Sequence, residues 1–472
     1  MSTLVIPRVR QSRLFTPRPY QKRSIRKGIS QACAGFLLRP GAGKTAIILS
    51  IYAILRNKEF LDRMLVIAPK TAALDTWPEE PLVWEQFCDL KVHIMQGEGR
   101  NNVPNDADIY VVNYDNLEWL VKSGFLDWFK GQMLCIDEST RIKNSNTKRF
   151  KIIKQMLHIF SRRYILTGTV RPNGLLDLFG QIYALDEGAS LGRYITHYRT
   201  MYFYPSGYGG YTWMPQPDAE LRIGEKIAPL VEVIEDSDIE DMPALITKTT
   251  YVTLPPKVMD VYKEMEDELI TQIQDEAVVA ANAAVASGKC RQICAGALYL
   301  KAANLSASWK RTKDYAILHT EKIDALNELL EDLNGDPLFI LYEFEFEREL
   351  MMQNLKGAGG CISGVSDKKA QAYIRQFKDG NLPWLIGQFQ SASLSLNLQF
   401  NCSNVAMPSV TWNQEYFDQG IQRVRRPGNQ KSSVTVHYIV ARNTIDERVV
   451  RVVNGKDFSQ RSFMNMLKGL AY

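Results

Sequence analysis

The segment RPGAGKT, Arg39 to Thr45, stands between an apolar run, AGFLL from Ala34, and an apolar helical pattern, AIILS from Ala46. A chain that turns from strand to helix through glycines leaves backbone N–H groups and a lysine at the helix N-terminus, where they cradle phosphate oxygens. Gly41, Ala42, Gly43, Lys44, Thr45 and Ala46 are the expected nucleotide-binding residues. The GxGKT core is present, and Leu38 stands where the longer GxxxxGK[ST] pattern begins with glycine.

A second motif narrows the chemistry. Met133, Leu134, Cys135 and Ile136 read as a buried strand, with Asp137 and Glu138 at its carboxyl end, where an α/β sheet presents ligand groups. Phosphoryl transfer to water needs positioning and charge stabilisation rather than covalent help. Lys44 is suited to neutralise the β- and γ-phosphates of a nucleoside triphosphate, Thr45 and Asp137 to hold Mg2+, and Glu138 to orient and deprotonate the attacking water.

Strand-like runs alternate with helical patterns from Ala34 to Thr169, in GFLL, MLVIAP, DIYVVNY, MLCID and RYILTGT. A second set follows in DPLFILY, GCISG, PWLIGQ, NVAM and VTVHYIV, separated by amphipathic stretches such as KIDALNELLEDL. This alternation predicts an α/β chain of two parallel-sheet lobes. The expected division is a first lobe over 1–185, an aromatic, acidic and helical insertion or bridge over 186–315, a second lobe over 316–455 and a short tail over 456–472. The aromatics of Tyr194 to Trp213 suit packing better than stacking on bases, and EVIEDSDIEDM suits a solvated surface.

Composition sets limits. At 472 residues, with 45% hydrophobic and 23% charged residues, the chain is expected to be soluble and cytoplasmic, with no membrane span and no secretory signal. Its net charge of +5, from 57 basic and 52 acidic residues, permits a nucleic-acid partner without requiring one. Cys290 and Cys294 are spaced for one helix face rather than for a zinc site.

The second lobe carries WNQEYFDQGIQRVRRPGNQ, Trp412 to Gln430. Arg423 and Arg426 are three apart, so on a helix they share a face from which two guanidinium groups can reach phosphates bound by the first lobe as arginine fingers. Because phosphate loop and fingers lie on different lobes, ATP is expected to favour a closed pair and hydrolysis to release it.

Taken in order, these segments resemble the Snf-type DNA-dependent ATPases of helicase superfamily two, in the compact single-module form of bacteria and bacteriophages. RPYQ, Arg18 to Gln21, resembles the adenine-recognition segment, which implies that Gln21 reads the base. VIAPKTAALDTW resembles the segment with the family's nucleic-acid contacts and ILTGTVRPNGLLDL its TGTP segment with the following Asn and helix, implying nucleic-acid contact for Pro69, Lys70, Thr71 and Thr167. DESTRIKN is similar to DEAHxIKN, with Thr140 in place of the histidine. RQICAGALYL resembles the helix before the second lobe, WN at Trp412 and Asn413 matches, and QGIQRVRRPG is similar to QAxxRxxRxGQ, which implies that Gln419 lies near the γ-phosphate. In SASLSLNL, Ser393 and Ser395 replace glycines while Asn397 and Leu398 match, so Asn397 and Trp412 are further expected nucleic-acid contacts.

The resemblance implies two RecA-like lobes and nucleic-acid-stimulated ATP hydrolysis that drives translocation on, or remodelling of, duplex DNA. Two alternatives stand beside it: a strand-separating DNA helicase, and an ATP-gated nucleic-acid clamp with little turnover.

Overall fold

A computed structural model describes residues 13–39, 41–206, 212–274, 279–299, 310–312, 314–390 and 396–470. The chain divides into two compact units, one of residues up to Glu240 together with those from Phe458 onward, the other Asp241–Asp457. Ser393 and Ser395, and the centre of the aromatic-glycine stretch at 207–211, lie outside the described residues.

The strands of the first unit, in chain order, are β1 (Cys33–Leu38), β2 (Met64–Ala68), β3 (Val92–Ile94), β4 (Ile109–Asn113), β5 (Met133–Asp137), β6 (Arg162–Thr167), β7 (Phe203–Ser206), β8 (Thr212–Pro215) and β9 (Val231–Ile234). Seven of them form one sheet in the order β3-β4-β2-β5-β6-β1-β9, parallel throughout, and β7 and β8 form a separate antiparallel pair. The runs MLVIA, IYVVN and MLCID are buried along their whole length, as strands covered on both faces must be. Parallel pairing brings the carboxyl ends of β2, β5, β6 and β1, four consecutive strands, to one edge of the sheet. That edge carries the candidate site.

Helices α1 (Pro19–Ser30) and α2 (Lys44–Asn57) flank β1 in sequence. α2 starts at Gly43 in a left-handed conformation and buries eight side chains.

The strands of the second unit are β10 (Ala244–Val252), β11 (Ala297–Tyr299), β12 (Lys310–Arg311), β13 (Tyr315–Ile317), β14 (Leu338–Tyr342), β15 (Gly359–Cys361), β16 (Trp384–Gln388), β17 (Asn404–Met407) and β18 (Ser433–Ala441). Six make a parallel sheet in the order β10-β18-β17-β14-β16-β15, and β11, β13 and β12 form a small antiparallel one.

All ten strand-like runs read from the sequence overlap strands here, GCISG only through Gly360 and Cys361. The stretch 186–315 is shared between the units: β9 extends the first sheet beside β1, and β10 extends the second beside β18. The last helix, Ile445–Leu470, ends in the first unit, where Phe463, Met464 and Leu467 join the core. The acidic run departs from a purely solvated surface. Glu232 and Asp238 pair with Arg23, Asp238 also with Lys468, and Asp236 with Arg39.

Tyr198, Tyr202 and Phe203 are buried in the core, as the packing expectation for that stretch requires, whereas Tyr194 and Tyr204 are exposed. Cys290 and Cys294 are buried on the helix Val279–Cys294. Among the described residues, no helix is long and apolar enough to cross a membrane.

Candidate nucleotide site

The phosphate loop is shaped by two glycines with positive φ, Gly41 at 84° and Gly43 at 79°. The positive φ of Gly43 favours glycine there, and a Cβ would also lie 2.5 Å from Gln21 Nε2, so the glutamine amide would have to shift. Gln21 Nε2 donates to the Ala42 carbonyl at 3.2 Å, and Tyr20 Oη donates to the same oxygen at 3.1 Å. The Gln21 oxygen accepts from Arg18 N at 2.9 Å, closing the start of α1. One glutamine thus fastens the first helix to the phosphate loop.

Lys44 Nζ is buried and, among the described residues, has no hydrogen-bond partner. Its nearest counter-charge is Glu138 Oε1 at 3.7 Å. A buried ammonium without hydrogen bonds is costly unless a ligand supplies acceptors. Triphosphate oxygens are such acceptors, so Lys44 fits the nucleotide expected from the sequence.

Asp137 and Glu138 end β5. Asp137 Oδ2 accepts from the indole of the fully buried Trp77 at 3.1 Å, and Oδ1 accepts from Glu138 N at 3.0 Å. Burial, and then the Glu138 charge beside it, raise the Asp137 carboxyl; Lys44 and the Trp77 hydrogen bond work in the opposite direction. Glu138 has a φ of 51°, an unusual conformation for a residue with a Cβ. Tyr114 Oη holds the turn by donating to the Asp137 carbonyl at 2.6 Å, with the Glu138 carbonyl at 3.3 Å. Trp77 and Tyr114 were not singled out from sequence, although Trp77 ends VIAPKTAALDTW; their sequence separations from Asp137 conceal the contacts.

Thr45 and Asp137 offer the hard oxygen donors that suit Mg2+ beside phosphates. At the carboxyl end of β2, Lys70 is exposed and Pro69 and Thr71 are half-buried. Thr167, by contrast, is completely buried, its hydroxyl closing a turn by donating to the Thr169 carbonyl at 2.9 Å. Its side chain supports the loop from within.

In the second unit, the segment after β17 is held by charged side chains from separate elements. Lys322 Nζ donates to the Pro408 carbonyl and to Asp446 Oδ2, both at 2.5 Å. Ser409 Oγ donates to the buried Glu347 at 2.7 Å, and Arg291 donates to the Val410 carbonyl at 2.8 Å. Lys456 Nζ reaches the carbonyl of the half-buried Trp412 at 3.5 Å. Asn413 then caps the helix Gln414–Ile421, its side chain accepting from Glu415 N and Tyr416 N.

The expectation that Arg423 and Arg426 share a helix face is corrected. The helix stops at Ile421, and both arginines lie in the turns that follow. Pro427 disfavours helical backbone at Arg426 itself, and Gly428 has a φ of 84°, but neither reaches back to the helix end at Ile421. Arg426 still has defined neighbours. Its Nε donates to the Gln422 carbonyl at 2.6 Å and its Nη1 to Asn397 Oδ1. Burial, and then the Arg423 charge, lower its pKa from the ordinary arginine value. Arg423 is buried, Asn397 is exposed, and Gln419 Nε2 donates to Glu415 Oε1 at 3.4 Å.

This assembly of loop, acidic strand end and buried lysine agrees with comparison to known proteins, because the SNF2-related domain matches residues 20–296. The chain belongs to the SNF2-related family. It is therefore an ATP-hydrolysing enzyme.

The SNF2-related chain is 28% identical over 471 residues to p41 of Acyrthosiphon pisum secondary endosymbiont phage 1, with 96% of this chain and 99% of the phage protein covered. It is 22% identical to YwqA of Bacillus subtilis, named as an ATP-dependent helicase/translocase, over 93% of this chain but only 48% of that protein. A solved SWI2/SNF2 ATPase core of Sulfolobus solfataricus in complex with dsDNA is 20% identical, covering 96% of this chain and 95% of that chain, with a TM-score of 0.46.

Proposed function

We propose that this enzyme hydrolyses ATP under stimulation by duplex DNA and uses the cycle to translocate on DNA or to remodel what is bound there. The observation that carries the catalytic part is Lys44 Nζ, buried without a hydrogen-bond partner among the described residues and 3.7 Å from Glu138. YwqA, the relative named as an ATP-dependent helicase/translocase, supports the nucleic-acid part.

In this reading, Lys44 and the N–H groups of the loop from Gly41 to Ala46 bind the phosphates, and Gln21 lies beside the base. Thr45 and Asp137 hold Mg2+, which when bound draws charge from the phosphate oxygens. Glu138 takes a proton from the attacking water. Arg423 and Arg426 neutralise charge developing on the transferred phosphoryl group, with Gln419 nearby. Lys70, with Pro69, Thr71, Asn397 and Trp412, contributes to the DNA contact, and Thr167 shapes its loop.

Steady-state hydrolysis measured without nucleic acid and with single-stranded DNA, duplex DNA, branched DNA or RNA tests the proposal. Duplex DNA is expected to stimulate most, with binding that weakens steeply as salt rises. Equal or greater stimulation by RNA would overturn the partner assignment. Displacement of a protein block without strand separation supports translocation, whereas ATP-dependent release of an annealed strand replaces it with a strand-separating helicase.

A further inference from the structure

The turn after Glu138 is tied to the loop after β6 by one buried amide. Ser139 Oγ donates to Gln181 Oε1 at 2.8 Å, and Gln181 Nε2 donates to the Val170 carbonyl at 2.7 Å and to the Asp177 carbonyl at 2.8 Å. Gln181 is 1% exposed and Ser139 0%. Two backbone carbonyls on one side of the amide require its nitrogen there, leaving only its oxygen to face Ser139. The orientation is therefore determined by the hydrogen bonds themselves.

The neighbouring residue makes the arrangement more telling. Thr140 occupies the position of the family's histidine, yet its hydroxyl is buried and has no hydrogen-bond partner among the described residues. The polar link from the acidic turn is made one residue earlier, by Ser139. An apolar side chain at position 181 could fill a buried space without the cost of desolvating an amide. What the amide adds is a directional tie between two loops at the carboxyl ends of adjacent strands.

We propose that Gln181 is a positioning residue for hydrolysis, holding the acidic turn and the Thr167–Arg171 loop in register through Ser139 and Val170. The inference rests on Glu138 acting as the base. Glu138 sits in a left-handed conformation between two anchors, the Tyr114 hydroxyl on its amino-terminal side and Ser139 on the other. Releasing Ser139 lets the backbone relax and moves the carboxylate away from the attacking water. The same tie makes displacement of the Val170 loop felt at Glu138.

The test is a double-mutant cycle with Ser139→Ala, Gln181→Leu and their combination, read by single-turnover hydrolysis, equilibrium binding of a fluorescent ATP analogue and thermal unfolding. Each single variant is expected to hydrolyse roughly 10- to 100-fold more slowly, as expected for a small misplacement of a reacting group. Nucleotide affinity should stay unchanged, and the combination should be no slower than the worse single variant. Thr140→Val, which removes a hydroxyl without a hydrogen-bond partner among the described residues, should hydrolyse at the wild-type rate.

Wild-type hydrolysis in Ser139→Ala and Gln181→Leu would overturn the inference. So would losses that multiply in the combination, or that track lowered thermal stability together with lowered nucleotide affinity. Glu138→Gln separates the two levels of argument. If it hydrolyses normally, the base assignment itself fails; if it is inactive while Gln181→Leu is normal, only the link is lost.

Discussion

The indole of Trp77 donates to Asp137 Oδ2 at 3.1 Å across a separation of 60 residues, in a place where the ring is fully buried. The hydrogen bond stabilises the charged carboxylate against burial and the adjacent Glu138, which together raise its pKa to about 6. The acidic strand end therefore depends on a residue from the segment after β2.

Trp77→Phe removes the donor and should raise the Asp137 pKa further, moving the acid limb of the kcat/KM profile to higher pH. Metal binding needs the carboxylate, so wild-type activity should rise with pH toward and through about 6. Stability has the opposite slope. Between the ordinary carboxylate range and about 6, the folded protein holds a proton that the unfolded chain has released, so this group's contribution falls as pH rises. Matched pH-rate and denaturation series on wild type and Trp77→Phe check both signs; an unmoved acid limb would refute the role of the indole.

Lys44→Ala and Glu138→Gln should fail in different ways. Without Lys44, charge at the phosphates is uncompensated, so nucleotide affinity and turnover both fall. Glu138→Gln keeps the shape and loses the base, so nucleotide stays bound while hydrolysis drops. Binding titrations and steady-state hydrolysis on both variants make the comparison, and normal turnover in either contradicts its assignment.

Arg426→Ala should leave nucleotide binding largely intact and cut turnover by a factor on the order of 10³, the scale expected for an arginine finger. Lysine should not rescue it, because an ammonium lacks the planar forked donors of guanidinium. Arg423→Ala should show the same loss less severely. If both arginines only support the turns, turnover will remain at the wild-type level in single-turnover measurements.

Lys322→Met should destabilise the chain by about 3–5 kcal/mol, because removing one partner of a buried ion pair leaves Asp446 uncompensated. Replacing both, as Lys322→Met with Asp446→Leu, should recover much of the loss. Denaturant titrations of the single and double variants decide whether the pair or the lysine alone matters, with equal losses counting against the pair.

The local sequence determined the buried strands and the phosphate loop because each is written in consecutive residues. Runs such as MLCID can be covered on both faces only in a parallel sheet, and GAGKT can turn only through glycines at positive φ. Pro427 signals a non-helical backbone at Arg426, but the helix end at Ile421, which takes Arg423 off the helix as well, was not written in that residue. β9 and β10 were less legible. The first is only four residues long, and the second is an edge strand whose side chains are largely exposed, so neither presents a continuous apolar run. Only tertiary structure decided the contacts of Trp77 with Asp137, Ser139 with Gln181, and Lys322 with Pro408 and Asp446. Their partners lie 42 to 124 residues apart, and local periodicity has no term for a hydrogen bond made possible by strand order and burial.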